Sequence, residues 1–199
     1  MYWNFVARFY DLFENLTNRK VYNSLAFFVA SKIKKEDVVL ECACGTGVIT
    51  QLIADRCNRI IATDFSQEML NITKKKCAEY SNVSVEYADI CNLPYRDKTF
   101  DKVIAANVIH LLDNPYIAVK QLDRVCKSGG QIIIPTYINK NDNKPSLMSK
   151  ILDRSGANFK RQFDYEEYQK FFKDLGYEDI EFELIKGNMP CAIALISKK

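Results

Sequence analysis

VVLECACGTG, residues 38–47, is the part of the sequence from which the architecture of this chain can be worked out. It opens with a short apolar run that contains β-branched residues, a pattern typical of a strand buried on both faces of a sheet. The run ends at Gly45 and Gly47, where the backbone can turn tightly because no side chain obstructs it. From Val48 onward the pattern is that of a helix. The stretch therefore predicts a buried strand, a glycine loop and a helix in succession.

Strand and helix patterns alternate beyond this loop. Further strands are predicted at 59–63, 83–87, 100–106 and 131–137. Helices are predicted at 48–56 and 66–80, and from 114 or 115 to 126. Such an alternation specifies right-handed β-α-β crossovers and a mostly parallel sheet with helices on both faces.

The last part of the chain departs from this alternation. After a helix at 164–175, strands are predicted at 177–185 and 191–197, and the short turn between them makes the two strands antiparallel. The predicted fold is α/β: a doubly wound, Rossmann-like sheet of seven mostly parallel strands that ends in an antiparallel hairpin.

One domain accounts for all 199 residues, a length that supports one substantial core. Amphipathic helical patterns at 3–16 and 19–31 precede the first strand, and we expect the region 1–33 to form a helical lid. The polar region 138–161 interrupts the alternation, and we expect it to be an insertion over a substrate pocket.

Composition excludes several classes of function. The chain carries 28 basic and 25 acidic residues, so its near-balanced charge does not favour binding to nucleic acid. No apolar run approaches the roughly 20 residues of a membrane-spanning helix, and the start does not resemble a secretory signal. The odd count of seven scattered cysteines favours reduced thiols in a cytoplasmic protein. With a single histidine and no Cys-x-x-Cys pair, no metal site is expected.

The glycine loop differs from that of a dinucleotide-binding protein. That motif requires a third glycine, and here Val48, Ile49 and Thr50 follow Gly47. Glu41 places a carboxylate inside the turn, where it would repel a pyrophosphate but would suit a cationic ligand. The loop therefore favours a positively charged ligand over a dinucleotide.

Residues 39–47 resemble the first motif of the class I S-adenosylmethionine (SAM)-dependent methyltransferases, acidic-x-Gly-x-Gly-x-Gly, with Ala43 in place of the first glycine. Within that superfamily the chain looks most like the small-molecule or lipid-type enzymes of ubiquinone biosynthesis and phospholipid headgroups. The resemblance runs from about Tyr10 to the last strand. It implies SAM as methyl donor, S-adenosylhomocysteine as product, and cofactor contacts from Glu41, Ala43, Cys44, Gly45 and Gly47.

The next two strands each end with an acidic residue. Asp64 lies 17 residues after Gly47, where a carboxylate can accept hydrogen bonds from a ribose diol. The resemblance implies the further adenosine contacts Phe65, Met69, Asp89 and Ile90, with Asp89 accepting from the adenine amino group. The alternative interpretation treats Asp64 as a turn or helix-cap residue and Asp89 as an ordinary loop aspartate.

A third group of candidate site residues follows the fourth predicted strand. Asn107 is expected to line the methionine end of the cofactor pocket, and His110 to act on the acceptor as a base or contact. The resemblance implies that Tyr10 folds over SAM and forms a catalytic pair with His110. The alternative is that His110 and Tyr10 only contribute to packing.

The predicted function is transfer of a methyl group from SAM to a small-molecule or lipid-like acceptor. The cofactor supplies the activated carbon, so the protein mainly orients the two reactants and excludes water. Two alternatives remain open: an NAD-dependent oxidoreductase on the same architecture, and a SAM-binding regulator without turnover. The oligomeric state cannot be derived from the sequence.

Overall fold

A computed structural model of the chain describes residues 18–139 and 161–199. Its helices and strands, in chain order, are α1 (Arg19–Ser31), β1 (Val38–Cys42), α2 (Val48–Ile53), β2 (Arg59–Asp64), α3 (Gln67–Lys76), β3 (Val83–Tyr87), β4 (Phe100–Ala105), α4 (Pro115–Val125), β5 (Cys126–Tyr137), α5 (Tyr165–Asp174), β6 (Ile180–Ile185) and β7 (Cys191–Ser197). Short 3-10 turns occur at Ala54–Arg56 and Ile109–Leu111. The predicted helix at 3–16 and most of the region 138–161 lie outside the described residues.

All seven strands belong to one sheet, in the order β3-β2-β1-β4-β5-β7-β6. The first five strands are parallel, and β1 lies between β2 and β4. β7 pairs antiparallel with both β5 and β6. The predicted seven-stranded, mostly parallel sheet with a final antiparallel hairpin is therefore confirmed. Because the order reverses at β1, the carboxyl ends of β1 and β4 frame the crevice in which open α/β sheets bind ligands.

Helices cover both faces of the sheet, as predicted. On one face, buried residues of α1, α2 and α3 such as Leu25, Ile53 and Leu70 share a core cluster with β1 and β2. On the other face, Leu122 of α4 and Phe172 of α5 belong to a second cluster. The central strand β1 contributes Val39 to the first cluster and Leu40 to the second, which explains why its sequence is apolar at successive positions.

Several predicted boundaries were wrong: β6 begins at Ile180 and not at 177, α2 ends at Ile53 and not at 56, and the two largest differences concern β5 and α3. β5 begins at Cys126 and not at 131, because Gly129 and Gly130 let the chain bulge beside β4 and pair with Lys198 instead of breaking away. The predicted helix 66–80 ends at Lys76: the N–H of Cys77 makes the last helical bond, to the carbonyl of Thr73, and a tighter turn follows in which the N–H of Tyr80 donates to the carbonyl of Cys77. Neither difference moves a candidate site residue.

Among the residues that the structure describes, no helix is both long enough and apolar enough to cross a lipid bilayer.

Candidate functional site

The candidate cofactor loop follows β1 at the carboxyl end of the parallel strands. Three alternate residues of the loop have positive φ angles: Ala43 at +53°, Gly45 at +55° and Gly47 at +78°. This repeated left-handed geometry bends the chain sharply before α2 begins at Val48. Ala43 stands where glycine would be unstrained, so the departure from the family motif has a measurable conformational cost.

The loop is held by atoms from neighbouring elements. The backbone N–H of Cys44 donates to the carbonyl of Thr63 at 2.9 Å. The N–H of Gly45 donates to Asp64 Oδ2 at 2.9 Å, and its carbonyl accepts from Thr73 Oγ1 at 2.8 Å. Sequence reasoning missed Thr73, because a threonine in the middle of a helix gives no local signal of a contact 28 positions away.

Glu41 is a buried carboxylate at the entrance to the loop, with 2% of its surface exposed. Its Oε2 accepts a hydrogen bond from Thr50 Oγ1 at 2.5 Å, and among the described residues no lysine or arginine pairs with it. Burial raises the pKa of Glu41 to about 8, a rise that the Thr50 hydrogen bond opposes and the charge of Asp64 reinforces. A cation bound here would supply the missing counter-charge, as the ammonium group of SAM would.

Asp64 uses both of its carboxylate oxygens to organise the site. Oδ1 accepts from the N–H of Ser66 at 2.8 Å and Oδ2 from that of Gly45. Burial raises the pKa of Asp64, although these two hydrogen bonds oppose the rise. Each oxygen retains a further lone pair, so Asp64 can hold the loop and also accept from a ribose diol. The predicted ribose contact and the alternative turn role are thus compatible.

The predicted adenosine contacts lie at the ends of β2 and β3. Phe65 is 67% exposed and its ring lies 5.3 Å from that of Tyr87, which is 55% exposed. Met69 and Ile90 are buried. Asp89 is exposed and its Oδ1 accepts from the N–H of Cys91 at 2.8 Å, which leaves Oδ2 for a donor on a ligand. Sequence reasoning did not identify Tyr87, whose exposed ring extends the aromatic surface of Phe65.

Asn107 joins the ends of β4 and β5. It has a φ of +52°, its N–H donates to the carbonyl of Pro135 at 2.8 Å, and its Oδ1 accepts from the N–H of Tyr137 at 3.2 Å. The side-chain oxygen is therefore used in a hydrogen bond that joins β4 to β5, and the amide Nδ2 is the group that could contact a ligand. Its predicted place beside the methionine end of SAM stays a prediction.

His110 lies in the 3-10 turn after β4 and is 4% exposed. Burial lowers the pKa of its imidazole to about 4, so the ring is neutral at physiological pH. Its backbone carbonyl accepts from the N–H of Arg161 at 3.1 Å, at the far end of the polar region. Tyr10 lies outside the described residues, so its predicted pairing with His110 stays a prediction.

Within the described ranges, no group of histidine, cysteine and acidic residues could hold a metal ion. All seven cysteines are free thiols. Burial raises the pKa of the Cys44 thiol well above its usual value, so this loop residue contributes its backbone and bulk but no thiolate nucleophile.

Comparison with known proteins agrees with this geometry. Residues 40–134 match the model of a family described as a methyltransferase domain. The demethylmenaquinone methyltransferase of Staphylococcus aureus is 22% identical over 179 residues, covering 79% of this chain and 74% of the relative. A SAM-dependent methyltransferase of Thermotoga maritima has a similar structure, with a TM-score of 0.73, 21% identity and coverage of 99% of this chain and 100% of the other. The cyclase SpnF has a TM-score of 0.76 at 19% identity, covering 92% of this chain and 83% of its own.

The raised pKa of Glu41 predicts how stability depends on pH in the protein without ligand. The folded state holds a proton on Glu41 up to about pH 8, whereas the unfolded chain releases it near pH 4.5. The free energy of unfolding should therefore fall as the pH rises between these values. Glu41→Gln removes this loss, and should stabilise the protein by on the order of 3 kcal/mol at pH 8 but little at pH 5.

Urea unfolding at pH 5, 6.5 and 8 measures this difference. Glu183→Gln is the matched control, since Glu183 is exposed on β6, and it should leave the pH dependence unchanged. A Glu41→Gln variant whose stability follows that of the wild type at every pH would contradict the burial argument.

The strained loop residue gives a second prediction. Ala43→Gly should raise the free energy of unfolding by about 0.5–1 kcal/mol, because relief of the positive φ outweighs the greater freedom of glycine in the unfolded chain. Ala62→Gly, in the interior of β2, should instead lower it by about 1 kcal/mol. Thermal unfolding of the two variants measures these changes in stability. A loss of stability in both would show that Ala43 is not strained.

Proposed function

From the premise that this chain is a class I SAM-dependent methyltransferase, we propose that its acceptor is a small-molecule or lipid-like compound bound beside His110. The observation that carries the proposal is the contrast between two neighbouring parts of the crevice. The cofactor end has acidic groups, Glu41, Asp64 and Asp89, whereas the segments gathered at His110 are apolar.

The residues at the cofactor end fit SAM. Glu41 is a buried carboxylate without a cationic partner among the described residues, and a Cβ added to Gly45 would meet open space. When bound, SAM supplies a methyl group activated by its sulfonium charge. Glu41 would then hold the ammonium group, Asp64 the ribose and Asp89 the adenine amino group. Phe65 and Met69 would lie beside the adenosine, and Ile90 would pack against the adenine ring.

We place the acceptor beside His110 because the residues around it in the chain and in the fold are buried and apolar. Val108 and Ile109 precede His110, while Ile138 follows β5 and Phe163 lies close to Arg161. The Staphylococcus aureus relative is named for demethylmenaquinone, which supports an apolar or amphipathic acceptor here. An apolar wall favours such a molecule because burying its surface in this crevice is itself favourable.

The polar region borders the same place. The N–H of Asn139 donates to the carbonyl of Phe163 at 2.8 Å, and the side chains of Asn139 and Gln162 are joined by a 3.0 Å hydrogen bond. With the Arg161 contact to His110, both ends of the region 138–161 meet at the acceptor end. This placement supports a role for that region in enclosing the acceptor. A lid formed by the region 1–33 is part of the same proposal, although α1 within it packs on the other face of the sheet. A cytoplasmic location is part of the same proposal.

The low pKa of the His110 imidazole limits the role that this residue can have in methyl transfer. Proton transfer from a phenol with a pKa near 10 to an imidazole with a pKa of about 4 would be uphill by about 8 kcal/mol. A neutral buried imidazole can still orient an acceptor by a hydrogen bond. We therefore propose that His110 positions the acceptor and does not carry its proton away.

A transfer assay tests the acceptor class. Labelled SAM should methylate at least one quinol, phenol or amphipathic lipid in a panel that also includes hydrophilic amines, with equimolar S-adenosylhomocysteine formed. Asp64→Ala should abolish transfer by weakening cofactor binding, while Asp179→Ala on the surface should not. Tight SAM binding without transfer to any compound would instead identify a regulator, and NAD binding without SAM binding would overturn the cofactor assignment.

Substitution of His110 tests its role separately. His110→Ala should lower kcat by about tenfold at most, since loss of a general base usually costs 10²–10⁴ in rate. The kcat/KM of the wild type should show no ionisation near pH 6.5, because burial lowers the pKa of His110 to about 4. A rate loss of a thousandfold together with an ionisation near neutrality would show that His110 is the base.

A further inference from the structure

Thr73 lies on α3, away from the ends of the strands, yet it contacts the cofactor loop through both its hydroxyl and its methyl group. We propose that Thr73 is a positioning residue that sets the shape of the loop 43–47 and thereby the affinity for SAM. The inference rests on the cofactor assignment and not on the identity of the acceptor.

The polar contact fixes one peptide group. Thr73 Oγ1 donates to the carbonyl of Gly45 at 2.8 Å, while the N–H of the same glycine donates to Asp64 at 2.9 Å. Glycine has little intrinsic preference between negative and positive φ, so the conformation of Gly45 depends on these external partners. Without the hydroxyl, the carbonyl of Gly45 keeps only the weak contact from the thiol of Cys44, whose Sγ lies 3.9 Å away.

The apolar contact fixes the end of the loop. A Cβ added to Gly47 would lie 2.6 Å from Thr73 Cγ2 and 2.9 Å from Oγ1, so the threonine side chain fills the space beside this glycine. The Sγ of Cys44 lies 3.9 Å from Oγ1 as well. Thr73 thus contacts Cys44, Gly45 and Gly47, and its side chain limits the positions that the loop can adopt.

The choice of threonine at this position is unfavourable for the helix itself. A β-branched residue lowers helix propensity, and threonine hydroxyls inside helices usually bond to a carbonyl of the preceding turn. Thr73 is fully buried and directs its hydroxyl out of α3 to the loop. The contact with the loop, and not the requirements of the helix, therefore accounts for both the hydroxyl and the branch.

The consequence for SAM follows from what the loop carries. Glu41 lies in β1 just before the loop, and the N–H of Gly45 bonds to Asp64, so a rotation of the Gly45 peptide changes the hydrogen bond to the carboxylate assigned to the ribose. In Thr73→Val a methyl group replaces the hydroxyl only 2.8 Å from the Gly45 oxygen, which is closer than carbon and oxygen can approach. The loop must then move away from α3.

Calorimetric titration with SAM tests the proposal. Thr73→Val should weaken binding about tenfold, which is the effect expected from one lost hydrogen bond. Thr73→Ser keeps the hydroxyl and loses only the methyl contact beside Gly47, so it should weaken binding by no more than about twofold. The matched control is Thr99→Val, which removes a 2.7 Å hydroxyl bond to the carbonyl of Arg96 at the opposite end of the sheet. It should leave the affinity for SAM unchanged.

Hydrogen exchange in the protein without ligand provides a second readout. The amides of residues 44–47 should exchange faster in Thr73→Val than in the wild type, and Thr73→Ser should restore their protection. If Thr73→Val does not fold, Thr73→Ala replaces it, since alanine removes the hydroxyl without adding a methyl group.

The outcomes distinguish an error in the cofactor assignment from an error in the role given to Thr73. A wild type that does not bind SAM would overturn the cofactor assignment. A wild type that binds SAM, with Thr73→Val or its alanine substitute equal to it in both affinity and loop exchange, would overturn the role of Thr73. Equal losses in the serine and valine variants would also overturn it, because the hydroxyl would then not be the determinant.

Discussion

The peptide backbone of Gly45 is the point on which the candidate site depends. Asp64 at the end of β2 accepts from its N–H, and Thr73 on α3 donates to its carbonyl. The loop itself begins at the end of β1, so three elements meet at one residue that has no side chain. A loop with three positive φ angles would sample many conformations if it were free, and these two hydrogen bonds select one. The ordinary packing of the sheet thereby determines the shape of a binding loop.

The same region places two carboxyl groups close to the loop, at positions that water reaches poorly. Glu41 is buried and Asp64 is half-buried, and burial raises the pKa of each. Such a pair is unfavourable in isolation, because ionised carboxylates lose hydration on burial. A ligand with an ammonium group and a ribose diol removes that cost, whereas a pyrophosphate would add to it. The energetics of the unliganded site therefore discriminate between a sulfonium amino-acid cofactor and a dinucleotide.

The sequence predicted those features that leave a local pattern. The buried strand β1, its glycine loop and the acids at the ends of β2 and β3 were recognisable because each combines residue type with position relative to a strand. Thr73 and the contact of Asn107 with Tyr137 were not, since both depend on residues brought together only by the fold. The boundary of β5 failed for a related reason: Gly129 and Gly130 indicate a break locally, but pairing with Lys198 continues the strand.

β7 lies between β5 and β6 although it follows both in the chain. Six of its seven residues are buried, and its pairing with β5 joins Gln131 to Ser197 across 66 positions. During synthesis β5 therefore presents an open edge, and β6 has no neighbour, until the last described strand leaves the ribosome. Pairings between distant residues form slowly, and open apolar edges attract other chains in the meantime. The yield of folded protein therefore depends on whether β7 pairs with β5 and β6 faster than the exposed strand edges aggregate.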